Sequence, residues 1–251
     1  MTTPDSTPAP EAAPAAPEPG AGEVAWEWFK SIAFAVLLWV VFRTFFLEAF
    51  RIPSQSMERT LLVGDFLFVN KAVYGAEVPF LHWHLPAYRE PARGDILIFD
   101  SVEPEQEGMK IVKRLIGVPG DTVEMRAGVV YRNGTALDEP YAVRGDARES
   151  ESPTVRERMR GWQAPHLVGR SADGYWPDLN DWGPIVVPAD SLFVMGDNRG
   201  SSYDGRYWGL LPRANVRGTP MFVYYSYDRD SGRTLPFVTA VRWSRIGDGL
   251  H

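Results

Sequence analysis

Ser54 and Ser56, in the run Pro53-Ser-Gln-Ser-Met57, are the first residues in the chain whose types and spacing suit nucleophilic chemistry. Residues two apart on an extended backbone project to the same side. One hydroxyl can then attack a carbonyl while the other donates to the oxyanion that develops. The same run also suits a plain turn or cap. An attacking serine needs a base, and the four histidines supply none. His82 and His84 flank a Trp in a Pro-bounded stretch with no third ligand at metal spacing, His166 follows Pro165 in a polar region, and His251 stands apart from any motif. None lies in a Gly-x-Ser-x-Gly context.

Lysine is the other base available. Alternation along Met109-Lys-Ile-Val-Lys-Arg-Leu-Ile116 puts Lys113 on one face with Met109, Ile111 and Leu115, and Lys110 with Arg114 on the other. A lysine on an apolar face is desolvated, which lowers its pKa by up to ~3–5 units from ~10.4. That range reaches a neutral amine able to take a proton near pH 7. A lysine snorkelling at a strand edge fits the same letters. A third group is the polar loop Met195-Gly-Asp-Asn-Arg-Gly-Ser-Ser-Tyr-Asp-Gly-Arg-Tyr-Trp-Gly209. Its Asp, Asn and Arg density reads as a self-braced loop, a structural turn, or a cation site of Asp197, Asn198 and Asp204, although no calcium-loop spacing is present.

Strands must hold these residues. FLFV (66–69), ILIF (96–99), MKIVKRLI (109–116), TVEM (122–125), VVYRN (129–133), LFVM (192–195), MFVYYSY (221–227) and FVTAVRW (237–243) are β-branched or aromatic runs separated by Gly, Pro, Asn and Asp. No helix-period stretch of similar strength follows residue 50, so the body is expected to be mainly β and mostly antiparallel. Residues 144–184 are more polar and read as an excursion from the sheet. Upstream, residues 1–22 are Pro- and Ala-rich with no apolar period, as in disordered tails. Between Ser31 and Phe42 no charge occurs, and Trp26, Trp28 and Phe29 precede this stretch. With Lys30 snorkelling and Arg43 at a boundary, the segment reaches the ~20 residues that span a bilayer. The charges flanking it are Lys30 before, Arg51 and Arg59 after, and they lean against a cytoplasmic N-terminus.

The balance of 26 basic and 32 acidic residues gives a net charge of −6, which disfavours nucleic acid as a partner. Cysteine is absent, so disulfides, thiolate metal sites and a thiol nucleophile are excluded.

Taken in order, PSQSMERTL (53–61), GDFLFVNK (64–71), RGDILIF (93–99), KIVKRLIGVPGD (110–121), NGTALDEPY (133–141) and GDNRGSSYDGRYWG (196–209) resemble the bacterial type I signal peptidases. The resemblance implies Ser56 as the acylating nucleophile and Lys113 as its base. Ser54 then gives the oxyanion hydroxyl and Ser202 orients the lysine, with Asp204 and Arg206 bracing the loop. Phe50, Ile52, Met57, Leu61, Ile111 and Val112 match positions lining shallow substrate pockets suited to small residues. It implies no metal or cofactor, secretory preproteins as substrates, a lipid bilayer as the other partner, and a catalytic body outside the cytoplasm. The fold expected is the β fold that signal peptidases share with self-cleaving repressors. Its parts are a tail (1–23), a transmembrane anchor (24–49), a catalytic β domain (50–121 and 191–245) and a smaller inserted subdomain (122–190). The pattern departs from the family at Gln55 (usually Gly), Arg59 (usually Pro) and Gly200 (often Asp). Two other readings stand beside it: a soluble serine–lysine self-cleaving repressor, for which residues 1–50 offer no DNA-binding module, and a membrane-tethered, non-enzymatic β-domain with a vestigial site.

Overall fold

A computed structural model describes residues 20–45, 47–75, 77–78, 83–84, 86–144 and 152–250. The tail before Gly20, His82, His251 and the charged run at 145–151 lie outside the described residues. The chain forms two units, Met1–Val41 and Phe42–His251. The first is carried by helix α1 (Ala21–Phe45). Its large apolar side chains occupy all sides, so it has no polar face. The stretch Gly22–Val41, 20 residues of mean hydropathy 1.6, is long and apolar enough to cross a bilayer. At 1.5 Å per residue it reaches about 30 Å, the thickness of the hydrocarbon core. The helix stops at Phe45, and the residues expected to finish the anchor at 47–49 already belong to a strand.

In the second unit the strands are β1 (Leu47–Arg51), β2 (Asp65–Asn70), β3 (Glu77–Val78), β4 (Trp83–His84), β5 (Ile96–Asp100), β6 (Lys110–Gly117), β7 (Thr122–Arg126), β8 (Val129–Arg132), β9 (Thr135–Ala136), β10 (Trp182–Val186), β11 (Ser191–Met195), β12 (Leu211–Pro212) and β13 (Val216–Ser226). Seven form one sheet in the order β1-β2-β13-β5-β6-β11-β12, four another in the order β10-β7-β8-β9, and β3 pairs with β4. Every strand pairing is antiparallel. The molecule is therefore mainly β, as expected.

Both faces of the large sheet are covered, which explains why β5 reads as a continuous apolar run. Ile96 and Ile98 join Ile52, Met57, Leu61 and Val112 on one face. Leu97 and Phe99 join Leu115, Leu192 and Val194 on the other. A third cluster, including Val123, Met125, Trp182 and Phe193, joins the small sheet to β11.

The structure departs from the strand reading in two places. Residues 237–243 do not form a strand. Leu235 takes a left-handed conformation and Pro236 opens a short helix, α4 (Pro236–Thr239), which leaves Phe237 and Val238 exposed. Inside the polar excursion lies an unanticipated helix, α2 (Pro153–Gln163). Pro153 fits its first turn, and Val155, Met159 and Trp162 give it a narrow apolar stripe against the third cluster. Three apolar residues in eleven were too few to stand out among the charges.

Beyond α4, the segment 240–250 runs back along β13, with Arg242 N–H donating to Ser226 O (2.9 Å) and Gly247 N–H to Val223 O (2.8 Å). From it Arg245 reaches the turn after β1, donating to Thr60 O at 3.0 Å and to the buried Asp65 carboxylate at 2.5 Å.

Candidate active site

β6 and its neighbours bring the distant serine and lysine together. Between β1 and β2 the chain makes a turn closed at its base, where Ile52 N–H donates to Asp65 O (2.9 Å) and Gly64 N–H to Ile52 O (3.2 Å). Ser56 sits in this turn. On β6, Lys113 lies opposite Leu97 of β5, and alternation puts it on the face of Ile111 and Leu115. Its Nζ donates to Ser56 Oγ at 2.7 Å. Both residues are buried, 6% exposed for Ser56 and 4% for Lys113. Loss of water is the main cause that pushes the Lys113 pKa down to about 8; Asp204 and Asp197 oppose it and Arg206 adds to it. Ser54 is exposed, and its Oγ lies 3.4 Å from Ser56 Oγ.

β11 delivers the polar loop to the same spot. Its last residue, Met195, pairs with Arg114, so the chain leaves the sheet beside the residue after Lys113. Asp197 is fully buried and takes a two-pronged ion pair from Arg114, both contacts at 2.8 Å, plus a hydrogen bond from Thr60 Oγ1 at 2.5 Å. Asn198 N–H donates to Ser56 O at 3.1 Å, tying the loop to the serine's own backbone. Asp204 caps helix α3 (Gly205–Trp208) and accepts from Gly196 N–H at 2.9 Å. Burial alone would raise its pKa, but the Arg206 guanidinium beside it leaves the carboxyl below the usual range. Arg206 also donates to the carbonyls of Arg199 (2.8 Å) and Ser202 (3.3 Å). A self-braced loop is what these bonds amount to.

The match to known proteins extends over most of the chain. The family model for signal peptidase, peptidase S26, matches residues 25–225. Signal peptidase I of Leptolyngbya laminosa is 36% identical over 225 residues, covering 88% of this chain and 89% of its own. The Pseudomonas aeruginosa enzyme is 34% identical over 234 residues, 88% of this chain and 78% of its own. That of Bacillus licheniformis is 36% identical over 205 residues, 81% of this chain and 90% of its own. The chain belongs to the signal peptidase S26 family.

Membership makes it a peptidase, and against the family pattern several residues fall differently from their expected places. Ser202 was expected to hydrogen-bond the lysine. Its Oγ is buried with no hydrogen-bond partner among the described residues, and Lys113 Nζ bonds Ser56 Oγ instead. The signal peptidase pocket positions Ile52, Met57, Leu61 and Val112 are closed within the core, each 6% exposed or less. They point to the inward face, where Ile96, Ile98 and Leu67 pack on them. Phe50 and Ile111 are half-buried, and Ile111 packs with the cluster on the opposite face. At the position where the family usually has Pro, Arg59 has φ of 78°, which proline's ring forbids.

Other residues of the site were not singled out in the sequence. Gly196 is one: a Cβ there would fall 2.2 Å from Ser202 Oγ and 2.5 Å from Ser56 O, so only glycine admits both neighbours. Glu139 is another, pairing with Arg199 in a buried, two-pronged ion pair at 2.5 and 3.0 Å. Beside it, Val143 N–H donates to Asp197 O and its carbonyl accepts from Arg199 N–H, both at 2.8 Å. Arg114 carried a usable signal, a charge on the strand face opposite Lys113. Glycine spacing alone names no neighbour, so Gly196 carried none.

Proposed function

We propose that this chain removes N-terminal signal peptides from secretory preproteins as a membrane-anchored serine endopeptidase, with Ser56 as nucleophile and Lys113 as general base. The observation that carries this reading is the 2.7 Å contact between Lys113 Nζ and Ser56 Oγ, both of them buried. A lysine with a pKa of about 8 is neutral in a substantial fraction of molecules near neutrality.

The neutral amine takes the Ser56 proton as Oγ bonds to the scissile carbonyl carbon. The Ser56 backbone N–H has no acceptor among the described residues, and with the exposed Ser54 hydroxyl it is available to the oxyanion. The lysine ammonium then gives its proton to the departing amine, which leaves the signal peptide esterified on Ser56. Neutral again, Lys113 takes a proton from water, whose oxygen attacks the ester. The ester C–O bond breaks, the ammonium returns its proton to Ser56 Oγ, and the signal peptide leaves as its carboxylic acid with Ser56 and Lys113 restored.

In this reading α1 anchors the enzyme in the bilayer, with the β body outside the cytoplasm. Tethering enzyme and membrane-held substrate to one surface raises their effective concentration. The domain boundaries follow the same reading: anchor, catalytic sheet, and an inserted part built on β7–β10.

Cleavage of a preprotein by the full chain in lipid vesicles, followed by gel shift, tests the proposal. Ser56→Ala and Lys113→Ala are each expected to abolish processing while the fold, followed by circular dichroism, is kept. Processing that survives either substitution refutes the assigned mechanism.

A further inference from the structure

Helix α2 meets the loop carrying Asp204 and Arg206 from outside, at two points. Trp162 Nε1–H donates to the Arg206 carbonyl at 3.0 Å. Its ring stacks on Phe193, centroids 6.0 Å apart, and comes so close to Gly209 that a Cβ there would lie 3.2 Å away. One turn earlier, Arg158 donates to Tyr203 OH, which also bonds Glu103 in the β5–β6 connection at 3.1 Å. Arg206 is thus held on both sides. Its guanidinium grips the inside of the loop through Asp204 and two carbonyls, and its own carbonyl is fastened outward to Trp162.

We propose that Trp162 is a positioning residue for catalysis: through its bond to Arg206 it holds the Asp204–Arg206 pair at a set place relative to Lys113. The inference rests on Lys113 acting as the base. Among the described residues, the hydrogen bond from α2 to residue 206 is the one that Trp162 gives.

The charged groups acting on Lys113 are few. Asp204 and Arg206 come from the loop and α3, and Asp197 from the loop's start, already shared with Arg114 of β6. Glu139 and Arg199 satisfy each other, and Glu58 accepts from Asn198. Asp204 favours the charged lysine and Arg206 the neutral one. The two charges oppose each other, so a displacement of either changes their net effect on the lysine. With burial as the main cause, the position of the pair then adjusts what fraction of Lys113 can accept a proton.

Trp162→Phe keeps a ring against Gly209 and Phe193 and removes only the N–H donor. The full chain in vesicles is assayed on a preprotein across pH 6–10, with kcat and KM separated. The expected result is a fall in kcat of about 3- to 10-fold, the range for losing one hydrogen bond. KM is expected to stay unchanged and the acid limb to move by about half a pH unit. Trp162→Ala, which also removes the ring, should lower kcat further and move the limb the same way. A Trp162→Phe enzyme with wild-type kcat and limb sinks the inference while sparing the reading of Lys113 as base. Lower kcat with an unmoved limb also sinks it, since that is general loosening. Cleavage that persists in Lys113→Ala sinks the reading itself, and the inference with it.

Discussion

Burying Lys113 costs the folded protein stability, and pH exposes the cost. With a folded pKa of about 8 against 10.5 for a free lysine, the unfolded chain binds more protons between those values. Stability therefore rises with pH across that window, and the penalty, on the order of a few kcal/mol, is fully present below pH 8. Lys113→Met removes the titration. It is expected to be inactive, and its advantage over wild type in urea unfolding should be largest at pH 6–7 and shrink as pH rises from 8 to 10. Wild-type kcat/KM should climb with pH through a midpoint near 8, the neutral amine being the active form. Arg59 offers a second test. Its left-handed φ of 78° is strained for any residue with a Cβ. Arg59→Gly should stabilise the protein by about 1 kcal/mol, read as a higher urea midpoint, whereas Arg59→Pro, although it restores the usual family residue, should destabilise it and slow cleavage. Strand alternation made Lys113 legible because period two is a property of the letters. The conformation of Arg59 was not legible, since it depends on how the whole turn closes between Ile52 and Asp65.

Among the elements, β6 serves the site on both of its faces. Lys113 meets the serine turn from one, and Arg114 holds the loop from the other. The pair of Arg114 with Asp197 is shut away from water on both sides. Removing one partner leaves the other charge buried alone, at a cost of about 3–5 kcal/mol. Arg114→Leu should therefore lower the thermal midpoint sharply, and Arg114→Leu with Asp197→Leu should recover much of that loss. Cleavage by the double variant should stay low, since the loop is no longer tied to β6. At this scale the sequence was read well wherever an apolar run was long. The large sheet came from its β-branched runs, and β5 and β6 fell within one residue of their expected bounds. It was read poorly where few residues decide. In α2 three apolar side chains carry the packing, and in 237–243 a single proline turned an aromatic run into a helix.

For the whole molecule, the anchor is the part with the least internal support. Among the described residues its large apolar side chains are exposed, so the bilayer is the environment that would stabilise them. Phe34→Arg with Leu37→Arg places two charges mid-helix, each costing about 2.5–3.5 kcal/mol on insertion. Fractionation should then move the protein from the membrane pellet to the supernatant, with hydrolysis of a short soluble peptide retained. The tie from Arg245 to Thr60 and Asp65 bears on time as well as shape. Ribosomes make the serine turn early and residue 245 nearly two hundred residues later. Until that arginine arrives, the turn lacks one of the clasps that shape it. A nascent chain would therefore carry Ser56 and Lys113 before the arginine that clasps the serine turn has been made.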